Sequence, residues 1–231
     1  MDTDKSAFYR QSHISQSYEQ LRFGGLSGEW VNRRELSIVA SVLPAGGKVL
    51  DLGCGTGRLS LHLANLGYEV VGLDSSDEML KVARSKLGSE KVVWLQGDVL
   101  ALPLAPASFD AVVALRLAFH FPNPQPILAA ATNVIRWGGV VVLDTYNWSP
   151  RSLAALGRST WGPRVYAHRQ TVIAQLASAL GLRVAGKTEC FLFSPYVYRL
   201  LPVAVLPVLE RLESLVPARL KARVFWQLRL A

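Results

Sequence analysis

The sequence predicts a doubly wound α/β fold, in which a mostly parallel sheet is covered by helices on both faces. Three observations lead to this fold class. Short, continuous apolar segments alternate with segments of helical spacing along residues 45–146, and glycines such as Gly67 and Gly88 close the helical segments. A glycine-rich turn, Gly53–Gly57, follows the first apolar segment. Continuous apolar strands that alternate with helices are typical of parallel sheets, and a glycine turn is common where such a strand runs into a helix.

The elements follow in order from the hydrophobic pattern. Residues 8–26 have weak helical character, and Glu29–Leu43 carries apolar residues at helical spacing until Pro44–Gly47 ends it. The predicted strands are short apolar runs: Lys48–Leu52, Tyr68–Leu73, Lys91–Leu95, Phe109–Leu115 and Gly139–Asp144. The predicted helices between them are amphipathic: Arg58–Leu66, Asp77–Leu87 and Ile127–Arg136.

The alternation is less regular after Asp144. The pattern predicts a helix over His168–Leu180, a long strand over Leu182–Phe193 and a proline-punctuated helical stretch over residues 199–222. Arg223–Leu230 fits either a last strand or a short helix. We expect helical cap elements of this kind to flank the cofactor-binding core.

Length and composition limit the possible classes of protein. A chain of 231 residues, half of them hydrophobic, is long enough for one sizeable domain with a packed core. We expect a single domain, with a helical lid over residues 1–44, a core over residues 45–146, and acceptor-side elements and last strands over residues 147–231. Two cysteines, no apolar leader and no apolar run of the roughly 20 residues that span a bilayer predict a cytoplasmic protein.

The positive charge is concentrated in the last third of the chain. Residues 1–146 carry 13 basic and 14 acidic residues, whereas residues 147–231 carry 12 and 3. A basic region of this kind fits nucleic acid, anionic lipid or an anionic substrate. Because its arginines alternate singly with Leu, Val and Pro, we expect an acceptor pocket or peripheral contact with an anionic membrane surface, and no specific nucleic-acid binding.

The glycine turn and the acid before it point to the type of ligand. The spacing is Gly53-x-Gly55-x-Gly57, which differs from the G-x-G-x-x-G of dinucleotide binders. Asp51 stands at the tip of the preceding strand, where a carboxylate repels a pyrophosphate and attracts ammonium or sulfonium groups. Without a ligand, the same residues would form a structural turn with Asp51 as a helix cap.

Two more acids follow the next two strands. Asp74 ends the second strand, where an acid can accept hydrogen bonds from both ribose hydroxyls. Asp98, with the neighbouring Gly97 and Val99, follows the third strand and is placed to contact the edge of an adenine. Three acids around one glycine turn therefore predict a nucleoside-containing, positively charged ligand.

These segments resemble the motifs of the class I S-adenosylmethionine-dependent methyltransferases. Val49–Gly57 looks like the first motif of that family. Val70–Ser75 resembles the second motif, which contains an acidic residue, and Leu95–Val99 resembles the third. Phe109–Leu115 resembles the fourth-strand motif, and Val134–Leu143 resembles the helix–Gly-Gly–strand motif. The resemblance covers residues 45–146 densely and the remainder loosely.

The resemblance implies that the cofactor is S-adenosyl-L-methionine and the product S-adenosyl-L-homocysteine. It implies a methionine end at Asp51, Gly53 and Gly55, a ribose at Asp74, an adenine at Asp98 and Val99, and Leu115 beneath the donor. In this family the N-terminal segment closes over the cofactor, so Arg22 would either pair with the cofactor carboxylate or pack on the surface. The cofactor-binding residues that we predict are Tyr18, Arg22, Asp51, Gly53, Cys54, Gly55, Asp74, Ser75, Met79, Gly97, Asp98, Val99 and Leu115.

The acceptor side of the predicted site has fewer signals. His120 lies between two aromatic residues after the fourth strand and is a candidate general base or substrate-orienting group, or else a packing histidine. Tyr146, just after the fifth strand, is the second candidate catalytic residue. Further aromatic residues expected around the acceptor are Trp148, Trp161, Tyr166, Phe193, Tyr196 and Tyr198.

We therefore predict an enzyme that transfers a methyl group in line to a small hydrophobic or aromatic acceptor, without a metal ion. The alternatives are an RNA or other nucleic-acid methyltransferase, and a module that binds S-adenosylmethionine without catalysis. Asn123–Pro126 is similar to a motif of DNA amino-methyltransferases. It lies eight residues past the strand end and lacks the aromatic residue, so we interpret the match as chance.

Overall fold

A computed structural model describes Tyr9, residues 11–149, Ser152 and residues 165–230. Its centre is a seven-stranded sheet in the order β3-β2-β1-β4-β5-β7-β6. The strands are β1 (Lys48–Leu52), β2 (Glu69–Asp74), β3 (Val92–Gln96), β4 (Phe109–Ala114), β5 (Ile135–Tyr146), β6 (Leu182–Cys190) and β7 (Arg223–Leu230). The helices are α1 (Ser12–Phe23), α2 (Gly25–Val42), α3 (Arg58–Asn65), α4 (Asp77–Arg84), α5 (Gln125–Val134), α6 (Gln170–Ala179), α7 (Pro195–Tyr198) and α8 (Leu206–Glu213).

The first five strands are parallel, and their order places the site. β1 pairs with β2 on one side and with β4 on the other. Strands after β1 are therefore added first on one side of it and then on the other, and the strand order reverses between β1 and β4. Ligands bind at this point in open α/β sheets. The carboxyl ends of β1, β2 and β4 meet at this point. The predicted doubly wound fold is confirmed.

Helices cover both faces of the sheet, and each face has its own apolar cluster. On one face, Ile127 of α5 and Ile173 of α6 pack against buried strand residues. On the other face, Val31 of α2 and Leu59 of α3 pack in a second cluster with Leu206 of α8. Because both faces are covered, the central strands β1 and β4 are buried along nearly their whole length.

The last strand decides between the two interpretations of Arg223–Leu230. β7 runs antiparallel between β5 and β6, with Leu143 opposite Trp226 and Glu189 opposite Val224. The strand interpretation is confirmed and the short helix is wrong. The C-terminal segment thus completes the same sheet that the earlier strands begin.

Several predicted boundaries differ from the structure: the fifth strand is Ile135–Tyr146 where Gly139–Asp144 was predicted, the helix after the second strand ends at Arg84 and not at Leu87, and the second helix begins at Gly25 and not at Glu29. Two further differences have a clear local cause. The helix predicted to end at Arg136 ends at Val134, because Ile135 pairs with Phe109 and begins β5 ahead of a register shift. The strand predicted to reach Phe193 ends at Cys190, because Phe191 has a φ of 64°, which breaks the extended backbone. Residues 199–222 hold α8 and short 3-10 turns, as the prolines of that stretch require.

No helix of the described part of the chain is long and apolar enough to cross a membrane.

Candidate active site

A cavity opens at the carboxyl ends of β1, β2 and β4. Most of the predicted site residues line it, although they come from five separate parts of the chain. The predicted residues that line it are Tyr18, Asp51, Gly53, Cys54, Gly55, Asp74, Ser75, Met79, Asp98, Val99, Leu115 and His120. The three predicted residues absent from the lining are Arg22, Gly97 and Tyr146.

The glycine turn holds its backbone close to the cavity. Gly53, Gly55 and Gly57 have φ values of 69°, 56° and 78°, a region that residues with a Cβ rarely adopt. A Cβ on Gly57 would lie 2.4 Å from the ring of Trp94, so this glycine is required by packing. A Cβ on Gly55 would meet nothing within 4 Å, so the space beside Gly55 is open.

Asp51 is buried at the end of β1. Its exposed fraction is 2%, and its Oδ2 accepts a hydrogen bond of 2.6 Å from Ser60 Oγ. Burial raises the pKa of Asp51 to about 6, although the Ser60 hydrogen bond and the charge of Arg58 oppose the shift. A carboxyl group in this state gains from a cationic ligand that would stabilise its ionised form.

Asp74 connects the end of β2 to the glycine turn. Its two oxygens accept backbone N–H groups of Gly55 and Ser76, each at 2.8 Å. Burial raises the pKa of Asp74, and these backbone hydrogen bonds oppose the shift. A carboxylate has about four lone-pair sites, so both oxygens keep acceptor capacity toward the cavity.

The residues after β3 form the far side of the cavity. Asp98 Oδ1 accepts the backbone N–H of Leu100 at 2.9 Å, which fixes the turn that contains Val99. Val99 and Met79 are buried apolar lining residues. Gly97 lies behind them, where its N–H donates to the backbone oxygen of Asp74. It supports the wall without lining it.

The first helix, together with Tyr9 three residues before it, covers part of the cavity. Tyr9 and Tyr18 both line it, and their rings meet edge to face at 6.1 Å. Thr56 Oγ1 donates to Glu19 Oε1 at 2.6 Å, which holds α1 against the glycine turn. Arg22 lies over the Tyr18 ring, with its Cζ 5.7 Å from the ring centre. The structure therefore brings Tyr18 to the cavity and leaves Arg22 outside its lining.

His120 lines the cavity on the side of β4. It follows β4 in a short 3-10 turn, and its ring is 5.6 Å from the ring of Tyr9 and 4.9 Å from that of Phe119. Leu115 and Leu117 line the cavity nearby. The histidine thus stands among apolar and aromatic groups, as its sequence neighbours predict.

Tyr146 is enclosed and does not reach the cavity. It is 1% exposed and packs on Phe119, with ring centres 4.7 Å apart. The reason is the length of β5, which continues to Tyr146 and pairs there with Arg223 of β7. The adjacent Arg223 guanidinium lies 5.6 Å from the Tyr146 ring centre.

Only some of the other predicted acceptor aromatics can be placed. Trp148 is half-buried, and its Nε1 donates to the backbone oxygen of Leu220 at 2.9 Å. Tyr198 is fully buried and stacks on Trp30. Tyr166 and Phe193 also lie off the cavity lining, and Trp161 lies outside the described residues.

A buried ionic network borders the cavity. Glu35 of α2 is completely buried and accepts hydrogen bonds from three arginines: Arg58, Arg116 and Arg223. Burial alone would raise the pKa of Glu35, but the three arginines outweigh it and hold that pKa well below its usual range. Asp144 supplies the second carboxylate, which accepts from Arg223.

Arg58 and Arg116 are cavity residues to which the sequence assigned no role. Arg116 has a φ of 59°, and its backbone N–H donates to Asp144 Oδ1 at 2.5 Å. Both guanidinium groups lie over the ring of Phe23, at 4.2 and 4.7 Å. Arg58 directly follows Gly57, and Arg116 directly follows Leu115. This position beside predicted motif residues was the only sequence feature that could have identified the two arginines as cavity residues. Tyr9, Thr56, Leu59 and Leu117 also line the cavity.

Other reactive residues have no arrangement for chemistry. Cys54 is buried, and burial raises the pKa of its thiol well above the usual value. Asn123 Oδ1 accepts the N–H of Gln125, which is a local turn contact. Within the described ranges, no group of three or more His, Cys, Asp or Glu residues is placed to hold a metal ion.

Comparisons with known proteins agree with this arrangement. A family model described as a methyltransferase domain matches residues 50–143, which span β1 to β5. A ubiquinone biosynthesis O-methyltransferase of Xanthomonas axonopodis pv. citri (strain 306) is 33% identical over 166 residues, which are 65% of this chain and 67% of the relative. A protein of the same name from Xanthomonas campestris pv. campestris (strain B100) is 38% identical over 120 residues, 51% of this chain and 50% of that protein.

A solved structure shares the whole fold. The magnesium protoporphyrin IX methyltransferase of Synechocystis PCC 6803, with bound S-adenosylhomocysteine, has a TM-score of 0.69 and 16% identity. The similarity covers 100% of both chains.

Proposed function

Because this chain belongs to the class I S-adenosylmethionine-dependent methyltransferases, we propose that it transfers the cofactor's methyl group in line to a small hydrophobic or aromatic acceptor. The cofactor is S-adenosyl-L-methionine, and the product is S-adenosyl-L-homocysteine. The single observation that carries the proposal is one cavity that joins the three strand-end acids to an apolar side containing His120.

The residues of the cavity fit the cofactor. The open space beside Gly55 allows close approach to the backbone, and Asp51 would hold the ammonium end. Asp74 would accept from the ribose hydroxyls, and Asp98 and Val99 would border the adenine. The chemistry that the cofactor supplies is an electrophilic methyl group on a sulfonium.

Arg58 and Arg116 are better placed than Arg22 to attract the cofactor carboxylate. Both line the cavity, whereas Arg22 lies outside its lining. The network of Glu35 and Asp144 holds three arginines with two carboxylates, so it carries surplus positive charge. An anionic group at the cavity end of this network would balance that charge.

The acceptor side favours an aromatic hydroxyl. Leu115, Leu117 and Tyr9 provide an apolar wall that suits a flat ring, and His120 provides a polar group in it. The relatives named as ubiquinone biosynthesis O-methyltransferases support methyl transfer to oxygen. His120 would accept the hydroxyl proton, and alignment of the two reactants would supply much of the rate.

The organisation and location of the chain belong to the same proposal. We propose one methyltransferase domain over residues 1–231, supported by the single sheet that β6 and β7 complete. We propose a cytoplasmic location, supported by two free, buried cysteines. An apolar acceptor partitions into lipid, so we also propose peripheral contact with an anionic membrane surface.

The test is transfer of labelled methyl groups from S-adenosylmethionine to a panel of alkylated phenols, with aliphatic amines and RNA alongside. We expect transfer to the phenols, and a loss of roughly 100-fold or more in His120→Ala, the scale of general-base catalysis. His62→Ala is the matched control, because His62 lies on α3 outside the cavity lining. Transfer to RNA alone would overturn the proposal, and cofactor binding without any transfer would favour a non-catalytic module.

A further inference from the structure

The segment Arg199–Lys221 exposes aliphatic side chains that a folded chain ordinarily buries. Leu200 and Leu215 are 77% and 78% exposed, and Leu220, Val208 and Leu212 are 55%, 53% and 46% exposed. We call these five residues the apolar face. Single exposed leucines are common, but five strongly exposed aliphatic residues in one short segment make that segment a candidate site of interaction.

The helix α8 shows that this exposure is directional. Leu206 and Glu213 are buried on one side of the helix, where Leu206 joins the apolar cluster of that sheet face and Glu213 pairs with Arg34. Val208 and Leu212 are four residues apart on the opposite side, and Leu215 follows one turn later. The helix is therefore apolar both toward the core and away from it.

Positive charge accompanies the apolar face. Arg199, Arg211 and Arg219 are exposed, and each directly precedes a leucine of the apolar face. The two acids of the segment, Glu210 and Glu213, both bond to Arg34. The outward charge of the segment is therefore mainly positive.

We propose that the apolar face docks on the surface of an anionic lipid bilayer. Leucine and valine side chains alternating with arginines suit the boundary between headgroups and acyl chains, where the cations meet anionic headgroups. The segment contains no aromatic residue and no methionine. Protein interfaces and single-stranded nucleic-acid sites both rely on aromatic anchors, so neither partner fits as well.

The docking surface adjoins the lid of the active site. Ser27 Oγ donates to the backbone oxygen of Leu201 at 2.7 Å, which ties the start of α2 to the segment. Leu26, beside Ser27, is 65% exposed and adds another exposed apolar side chain near the segment. The preceding helix α1 carries Tyr18, which lines the cavity. A docked protein would thus hold the N-terminal helices α1 and α2 near the lipid. The docking inference rests on the membrane contact proposed above and names the surface that makes it. Vesicle binding is measured without an acceptor, so it can fail while methyl transfer succeeds.

The test is sedimentation of the full chain with vesicles of phosphatidylcholine, or of phosphatidylcholine mixed with phosphatidylglycerol. We expect binding to the mixed vesicles that weakens as salt rises. The double variant Leu212→Ser/Leu215→Ser should lose roughly tenfold or more in partition coefficient, since each inserted leucine contributes on that scale. Arg211→Gln/Arg219→Gln should lose about fivefold for each cation removed.

The matched control is Leu66→Ser/Leu87→Ser, which removes two leucines that are 54% and 100% exposed elsewhere on the surface. This control should bind vesicles like the unmodified chain. A thermal shift with S-adenosylhomocysteine shows that each variant is folded. Absence of vesicle binding, or equal loss in the control, would overturn the proposal. A concentration-dependent dimer that the Leu212/Leu215 variant abolishes would assign the apolar face to a second copy of this chain instead.

Discussion

Glu35 of the second helix and Arg116 after the fourth strand form a bidentate ion pair, with Arg116 Nε 3.0 Å from Glu35 Oε2 and Nη2 2.5 Å from Oε1. The pair joins residues 81 positions apart in sequence. Arg116 also lines the cavity, so a carboxylate of the N-terminal region holds a residue of the active site in place. The left-handed backbone of Arg116 is maintained at this point by its partners Glu35 and Asp144.

We predict that Glu35→Gln lowers the free energy of unfolding by roughly 3–5 kcal/mol, because three buried arginines would then share the one carboxylate of Asp144. Urea denaturation measures this change. Glu29→Gln is the control on the same helix, since Glu29 is exposed and its loss should change stability by at most about 0.5 kcal/mol. Equal stability of the two variants would show that the network is not needed for folding.

The Glu35 network also shows which features the sequence could predict. The alternation of strands and helices and the glycine turn are local patterns, and they placed the sheet and the three acids correctly. A buried glutamate among three arginines has no local pattern, because its partners come from α3, the loop after β4, and β7. The sequence predicts Tyr146 at the acceptor mouth because no local pattern shows that β5 continues as far as Tyr146. That continuation depends on pairing with β7, and Arg223, the partner of Tyr146, lies 77 positions away in sequence.

Binding of S-adenosylhomocysteine should depend on the ionisation of Asp51. The pKa of Asp51 is raised to about 6, so its carboxyl is protonated in acid, and the ammonium group of the ligand favours the ionised form. We predict that affinity rises by up to about tenfold per pH unit as pH approaches 6 and levels off above it. The unliganded protein should show the reverse trend, with stability falling as pH rises from about 4 to about 6.

Calorimetric titrations at several pH values, with Asp51→Asn beside the unmodified chain, measure this linkage. The variant should bind more weakly at neutral pH and lose most of the pH dependence below 6. A pH profile that the substitution leaves unchanged would place the titrating group elsewhere, and Asp74, whose pKa is also raised, is the next group to test.

Alanine substitutions at Gly55 and Gly57 should have different effects, one mainly on ligand affinity and the other mainly on the stability of the fold. We predict that Gly57→Ala destabilises the fold more than Gly55→Ala, because only the former adds a contact with Trp94 to the strain that both share at positive φ. Gly55→Ala should instead weaken S-adenosylhomocysteine, because its methyl group projects into open space beside the turn. Thermal melting and calorimetry measure the two effects. Unchanged affinity in Gly55→Ala would mean that the ligand does not approach Gly55. Equal destabilisation by the two variants would mean that the Trp94 contact does not require a glycine at position 57.

Nucleic-acid binding should be weak despite the basic last third of the chain. We predict dissociation constants no tighter than about 10⁻⁶ M at physiological salt for RNA and duplex DNA, which is the non-specific level. Fluorescence titration with labelled oligonucleotides measures this. Tight binding that discriminates between sequences or RNA structures would favour the nucleic-acid methyltransferase over the small-molecule enzyme.

The most direct test of the account is a crystal structure of the chain with S-adenosylhomocysteine bound. The account predicts ribose hydroxyls on Asp74, the adenine beside Asp98 and Val99, and the sulfur on the side of the cavity that holds Leu115 and His120. A ligand bound elsewhere, or with its sulfur turned away from His120, would contradict the assignment of one cavity to both cofactor and acceptor.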